Sequence, residues 1–455
     1  DGYEGCLAES WEISEDGKIY TFKIREGVTF SDGAVCDANA ILANFNAIIA
    51  NKERHTWLEM MNLLVGVSAP DDYTFVIELS EAYYPMLTEL GCIRPFAMIS
   101  PNCMIDGQTK DGVNGYIGTG PYVLTDFVTD EYAVFERNEN YWGELPAIEK
   151  ITVKVIPDNQ TRIMALESGE IDLIFGKNML DADAISQYTD SDKFTVSLSD
   201  PTSTRHIVLN TTNDILSDVT VRQALQHATD RNAISEGIFY GLEQPADTLY
   251  SKTVPYCDVD LEPYEYSADT ASEMLEKAGW IMGKDGIRYK DGQKLELELL
   301  YNSDSVTEKT ISEYLQSEYA KLGISINIHG EEEQSYRDSM KAGNFDMVFN
   351  ICWGMPYDPQ SSLAAMRAPV YGDYAAQLGL EDKAEIDKAI TDILTSTDET
   401  ERQELYTFVL TRLHEDAVYI PLTYECNKAL YTSDLQGVHF GTDQYDVPFA
   451  DMYFE

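Results

Sequence analysis

Stretches in which every second residue is apolar alternate along this chain with stretches in which apolar residues recur at every third or fourth position. The first period suits a strand with one covered face and the second a helix, so the interleaving points to a mixed α/β fold rather than a sandwich or a bundle. Tyr20, Phe22 and Ile24 read as a half-buried strand, followed by a turn at Ser31, Asp32 and Gly33. Asp37 then offers an N-cap to a helix carrying Ile41, Leu42, Phe45, Ile48 and Ile49. Further helices are expected over 219–240, 268–278, 306–322 and 398–414, and strands over 150–156, 205–210, 294–301 and 345–351. A chain of 455 residues, 44% of them hydrophobic, exceeds one compact domain, so at least two lobes are expected.

Acidic residues outnumber basic ones 79 to 32, for a formal charge of -47. Such a surface repels nucleic-acid phosphates and anionic membranes, and its even spread reads as solvation rather than as an acidic tail. The sequence has no apolar run long enough to span a bilayer, and residues 1 to 30 lack the basic-then-apolar pattern of an export signal. An export signal or anchor is expected to have been removed ahead of residue 1. Seven cysteines (Cys6, Cys36, Cys92, Cys103, Cys257, Cys352 and Cys426) are scattered without a CxxC pair, and define neither a zinc site nor a disulfide framework.

HExxH, GxSxG, GxxxxGK[ST] and GxGxxG are all absent from the sequence. The six histidines are dispersed, and each reads as structural rather than as a metal ligand. Gly118, Thr119, Gly120, Pro121 and Tyr122 lack the lysine and following helix of a phosphate loop, and read as a tight turn entering a strand.

The stretch LAESWEISEDGKIYTFKIREGVTF from Leu7, followed by SDG, resembles the opening signature of family 5 of the extracellular solute-binding proteins, the peptide- and nickel-binding family. IGTGPYVL from Ile117, RNENYWGELPAIEKITVKVIPDNQTR from Arg137, ALESGEIDLI from Ala165 and VRQALQHATDRNAI from Val221 follow in that family's order. Trp11 and Trp142 within them also suit core anchors, and Asp158 suits a helix cap. The resemblance implies a two-lobed periplasmic-binding-protein-like fold of class II type, with a ligand cleft between the lobes. It places the crossings near Thr204 to His206 and Tyr424 to Asn427, so that one lobe is 1–203 plus 427–455 and the other 204–426. Members of this family carry about forty further residues ahead of the LAESW motif, and these add strands to the first lobe.

Within the family, the nickel-binding members match best, through TWLEM from Thr56, IRPF from Ile93, CWGMPYDPQ from Cys352, MRAP from Met366 and YAAQLGLEDKAEIDKAI from Tyr374. Carried over residue by residue, their chelate-binding arginines fall on Arg54 and Arg94, and their cleft aromatics on Trp57, Trp353 and Tyr357. Guanidinium forks suit the carboxylates of a metal chelate, and flat rings suit its organic part. The metal-coordinating histidine of those members falls on Tyr371, and a neutral phenol is a poor nickel ligand. Either the metal arrives wrapped in a chelator or the ligand is a different small anion or peptide, and His55 is a candidate substitute ligand.

The resemblance thus implies the substrate-binding subunit of an ABC importer, capturing a nickel or similar divalent-metal chelate such as a metal–histidine complex. A di- or oligopeptide receptor is the alternative. Permease and ATPase subunits are the implied partners, with no nucleic acid, no cofactor beyond the cargo, and a monomeric state. The implied location is extracytoplasmic, in a periplasm or lipid-anchored to the outer face of the cell membrane. An enzyme of the same architecture would need a nucleophile and base that the matched positions do not supply. A sensor or adhesion module stands as a third class.

Overall fold

The computed structural model describes residues 2–177, 179–352, 359–441 and 446–455. Strands Ala8–Ile13, Ile19–Ile24, Thr74–Leu79 and Leu64–Asp71 lie in that spatial order as an antiparallel sheet. Cross-strand partners Trp11, Phe22 and Phe75 follow one another across it. Helix Ala38–Ala50 covers this sheet, with the Phe45 ring 4.8 Å from that of Phe75. The helix starts where it does because the Asp37 carboxylate accepts from the Ala40 N–H at 2.9 Å. A second antiparallel sheet, Tyr122–Val128, Tyr132–Arg137 and Lys150–Lys154, follows the turn at Gly118 to Gly120.

The largest sheet runs Leu173–Phe175, Tyr419–Thr432, Phe194–Leu209, Met347–Cys352, Glu296–Asn302, Ser325–Glu331. Its last three strands are parallel and its first three antiparallel, and helices cover both faces. Val208, Leu300 and Val348 face one apolar cluster, while Ile207, Leu299 and Phe349 face another. The expected helices at 268–278, 306–322 and 398–414 are Ala268–Lys277, Val306–Lys321 and Glu399–Glu415. The one expected over 219–240 is two, Val219–His227 and Arg231–Ile238, because the Asp230 carboxylate caps a fresh start at the Ala233 N–H. The strand expected over 205–210 begins as early as Phe194. Its first half alternates apolar Phe194, Val196 and Leu198 with polar Thr195, Ser197 and Ser199, a strand period that the expected bounds left out, and it is extended along its partner Tyr419–Thr432.

Those two long strands run side by side, with Thr204 opposite Tyr424, and the ladder slips on both sides of Pro201, which has no N–H to donate. A buried charge network sits there. Glu425 pairs with both Arg205 and Lys177, Ser203 donates to it, and Lys428 lies 3.3 Å from Glu243. Burial alone would raise the Glu425 carboxyl, but Arg205 and Lys177 outweigh it and hold the group well below the usual carboxylate range.

A single apolar cluster joins the N-terminal sheet to the helices near the C-terminus, with Phe22, Met60 and Phe75 in one core with Ile393, Tyr406 and Leu410. Around it the Tyr84 N–H donates to the Leu394 carbonyl at 2.9 Å, the Tyr84 hydroxyl donates to Glu399 at 2.6 Å, and the Arg402 guanidinium lies 3.5 Å over the Tyr84 ring. The N-terminal sheet is thereby seated on the Lys383–Thr395 and Glu399–Glu415 helices.

Candidate functional site

Arg54 and Arg94 lie on separate loops beside the helix Glu59–Leu63, and one buried carboxylate ties the two loops together. Glu89, 7% exposed, accepts from the N–H groups of Glu59 and Met60 at 3.1 and 3.0 Å and from the Tyr83 hydroxyl at 2.7 Å. It thus holds the start of that helix, two residues past Trp57, from a position five residues before Arg94. Leu58, Met60 and Met61 anchor the Trp57 loop in the core, and Cys92 and Phe96 anchor the Arg94 loop on either side of it. Both guanidiniums remain exposed, with the half-buried Trp57 ring against the shared apolar cluster.

His55 lies within the fields of both arginines. Its own burial first, then Arg94 and Arg54, hold its pKa below the ordinary imidazole value, so the ring is neutral at pH 7. Neither arginine has an ion-pair or hydrogen-bonding side-chain partner among the described residues. In a chain of charge -47, the two arginines beside His55 are a local concentration of positive charge.

Elements from far along the sequence reach this region. Arg367, just past helix Pro359–Ala365, reaches Glu59 at 3.9 Å and donates to Thr391 at 2.9 Å. Tyr371 stands at the start of helix Gly372–Gln377, half-buried against the same cluster as Trp57. Trp353 and Tyr357 lie outside the described residues. The structure therefore brings Arg54, His55 and Arg94 together, sets Trp57 and Tyr371 on one core, and adds the Glu59–Arg367 bridge. No local sequence signal marks that bridge, because its partners are more than three hundred residues apart.

A separate cavity of about 890 Å³ opens beside the strand pair, lined by Lys177, Arg205, Asn302, Glu308, Glu425 and Lys428 among others. Arg54, Trp57, Arg94 and Tyr371 do not line it, and Lys177, Arg205 and Lys428 are each paired with a glutamate. No group of three or more His, Cys, Asp or Glu side chains among the described residues is arranged to hold a metal ion. No described helix is long and apolar enough to cross a membrane.

Burial pushes the Glu89 carboxyl up to about 7, against the hydrogen bonds from Tyr83, Met60 and Glu59. A raised acid binds its proton more tightly in the folded chain, so its contribution is full below the unfolded carboxyl range and is lost as pH rises through about 7. We expect Glu89→Gln to flatten the fall in urea-unfolding stability between roughly pH 4.5 and 7 relative to the parent protein. Identical pH profiles would show that Glu89 does not titrate in that window.

The sequence model of the bacterial extracellular solute-binding proteins, family 5 (middle), matches residues 2–373. The nickel-binding periplasmic protein of Escherichia coli K12 is 41% identical over 449 residues, which are 98% of this chain and 86% of that protein. The periplasmic oligopeptide-binding protein OppA of Salmonella typhimurium is 28% identical, over 97% of this chain and 82% of that protein. The crystal structure of NikA from Brucella suis in complex with Fe(III)-EDTA superimposes with a TM-score of 0.96 at 44% identity, covering 99% of this chain and 91% of that one. The architecture is the two-lobed periplasmic-binding-protein fold.

Proposed function

The chain belongs to family 5 of the bacterial extracellular solute-binding proteins, and on that premise we propose that it is the substrate-binding subunit of an ABC importer that captures a nickel or similar divalent-metal chelate. The observation that carries this reading is the pair of guanidiniums, Arg54 and Arg94, without a side-chain partner among the described residues, beside Trp57 and the neutral His55. Two cations repel a bare metal ion but make charge-assisted, two-point contacts with the carboxylates that wrap a chelated one. Trp57 offers a flat apolar wall to the organic part. His55 can present a ring nitrogen to an open position on the metal, a role that the phenol of Tyr371 fills poorly. A metal–histidine complex fits this set, and the metal is cargo rather than a resident cofactor.

We assign residues 1–203 and 427–455 to one lobe and 204–426 to the other, with the paired strands at Thr204 and Tyr424 as the hinge and the cleft between the lobes. Arg54, Trp57 and Arg94 then belong to one lobe and Tyr371 to the other. The protein works outside the cytoplasm, in a periplasm or on a lipid anchor, as a monomer that delivers cargo to permease and ATPase subunits without chemistry of its own. Peptide capture is the second reading, favoured by the oligopeptide-binding relative.

Closure on a ligand stabilises the folded state by mass action. Nickel premixed with free histidine is expected to raise Tm by several degrees in differential scanning fluorimetry, and nickel alone in chelator-free buffer by much less. An equal rise with bare nickel would mean that side chains supply the coordination shell. A rise with dipeptides and none with metal chelates would replace this reading by the second.

A further inference from the structure

We propose that the cavity of about 890 Å³ beside the strand pair is a second ligand site, one that takes a free α-amino acid with an apolar side chain. Arg54, Trp57, Arg94 and Tyr371 do not line it, so the proposal does not depend on the chelate reading. Lys177, Arg205 and Lys428 bring three cations to its lining, and Glu243 and Glu425 bring two carboxylates that pair with them. Both carboxylates are engaged on both oxygens. Glu425 takes Arg205 on one and Lys177 and Ser203 on the other, while Glu243 takes Lys428 on one and the Thr423 hydroxyl on the other. The cationic donors are not used up. The Arg205 Nε–H is buried without a hydrogen-bond partner among the described residues. The Lys428 side chain is 5% exposed, and its ammonium has a single polar contact among those residues, Glu243 at 3.3 Å. A surplus cation with unmet N–H groups, lining a cavity, suits a ligand carboxylate.

The lining also holds an acid of its own. Glu308 accepts the Asn302 N–H at 2.8 Å through one oxygen and forms no ion pair among the described residues. Burial raises its carboxyl, against that hydrogen bond and the field of Arg205, and a ligand ammonium beside it would offset the cost of its charge. A bare anion would meet Glu308, and a bare cation would meet Arg205 and Lys428; an amino-acid headgroup carries one charge for each. The side chain of the ligand has its own seat. Tyr240, Val306 and Ile351, which are 53%, 79% and 38% exposed, line this same cavity, together with Phe239, whose ring has the Arg205 guanidinium 5.3 Å over it. Large apolar side chains left to water around one cavity mark a surface that an apolar ligand would cover.

The probe is L-leucine, titrated calorimetrically into the whole chain. Its analogues are leucinamide, which lacks the carboxylate, isocaproate, which lacks the ammonium, and glycine, which lacks the side chain. Leucine is expected to bind, and each analogue to bind about tenfold more weakly or worse. E308Q, with an unchanged circular dichroism spectrum, should weaken leucine by about tenfold and leave isocaproate no weaker than in the parent protein. R94A should leave leucine affinity unchanged. No heat with leucine at millimolar concentration, equal affinity for leucinamide, or unchanged leucine affinity in E308Q would overturn the proposal. A loss of leucine binding in R94A as large as that in E308Q would also overturn it, by placing the amino acid with the chelate-binding arginines. None of these outcomes removes the chelate reading, which stands or falls on nickel–histidine binding.

Discussion

Replacing Arg94 with alanine is expected to weaken capture of the metal chelate by about 2 kcal/mol or more, roughly a 30-fold loss. Without ligand the guanidinium is exposed beside Arg54 and His55, where water screens it. Closure of the cleft would strip that water and strengthen a charge-assisted pair with a ligand carboxylate. The long-range field of a protein of charge -47 opposes an anionic cargo, so retention depends on a few local cations. Arg94→Lys should restore only part of the affinity, because an ammonium cannot make the planar two-point contact. Arg94 also sits between the anchors Cys92 and Phe96, which hold its loop whatever side chain it carries. Isothermal titration of the three proteins with nickel–histidine decides the matter, and equal affinities would make Arg94 a surface residue without a binding role.

The second large effect concerns stability. Glu425→Ala is expected to destabilise the fold by about 3–5 kcal/mol, because it strands Arg205 and Lys177, whose side chains are only 12% and 17% exposed. Glu243 cannot take over both charges, since it is already engaged by Lys428 and by the Thr423 hydroxyl at 2.8 Å. Glu425→Gln, which keeps the shape and one acceptor, should cost less. Because the Glu425 carboxyl titrates well below the usual range, its contribution is present throughout the neutral range and is lost only in strong acid. Urea unfolding at pH 7 gives the number, and a loss below about 1 kcal/mol would mean that water reaches the stranded cations. The network lies on the strand pair assigned as the hinge, so the same variants should also alter how far the lobes open, which small-angle scattering would register.

Where the chain forms helices, it is legible from neighbours alone. The Asp37 and Asp158 caps, the strands at Lys150–Lys154 and Met347–Cys352 and the helices Ala268–Lys277 and Val306–Lys321 follow from periodicity and from side chains within four residues. The alternation of Phe194, Val196 and Leu198 is equally local, but Asp200 and Pro201 break it, and the continuation to Ser203 is extended only through a partner some two hundred residues away. The arginines of the site were legible only through family motifs. Their meeting beside His55 needed the Glu89 carboxylate to bind two loops into one, and local pattern carries no record of such a tie. Sequence alone thus determined most element types and the family, and proposed the residues of the cleft. Tertiary structure decided which charges stay unpaired among the described residues, as at Arg54 and Arg94, and which are cancelled, as at Arg205, Glu425 and Lys177. The reason is physical: secondary structure follows short-range sterics and hydrogen bonds, whereas the state of a charge depends on burial and on partners that only the folded chain brings within reach.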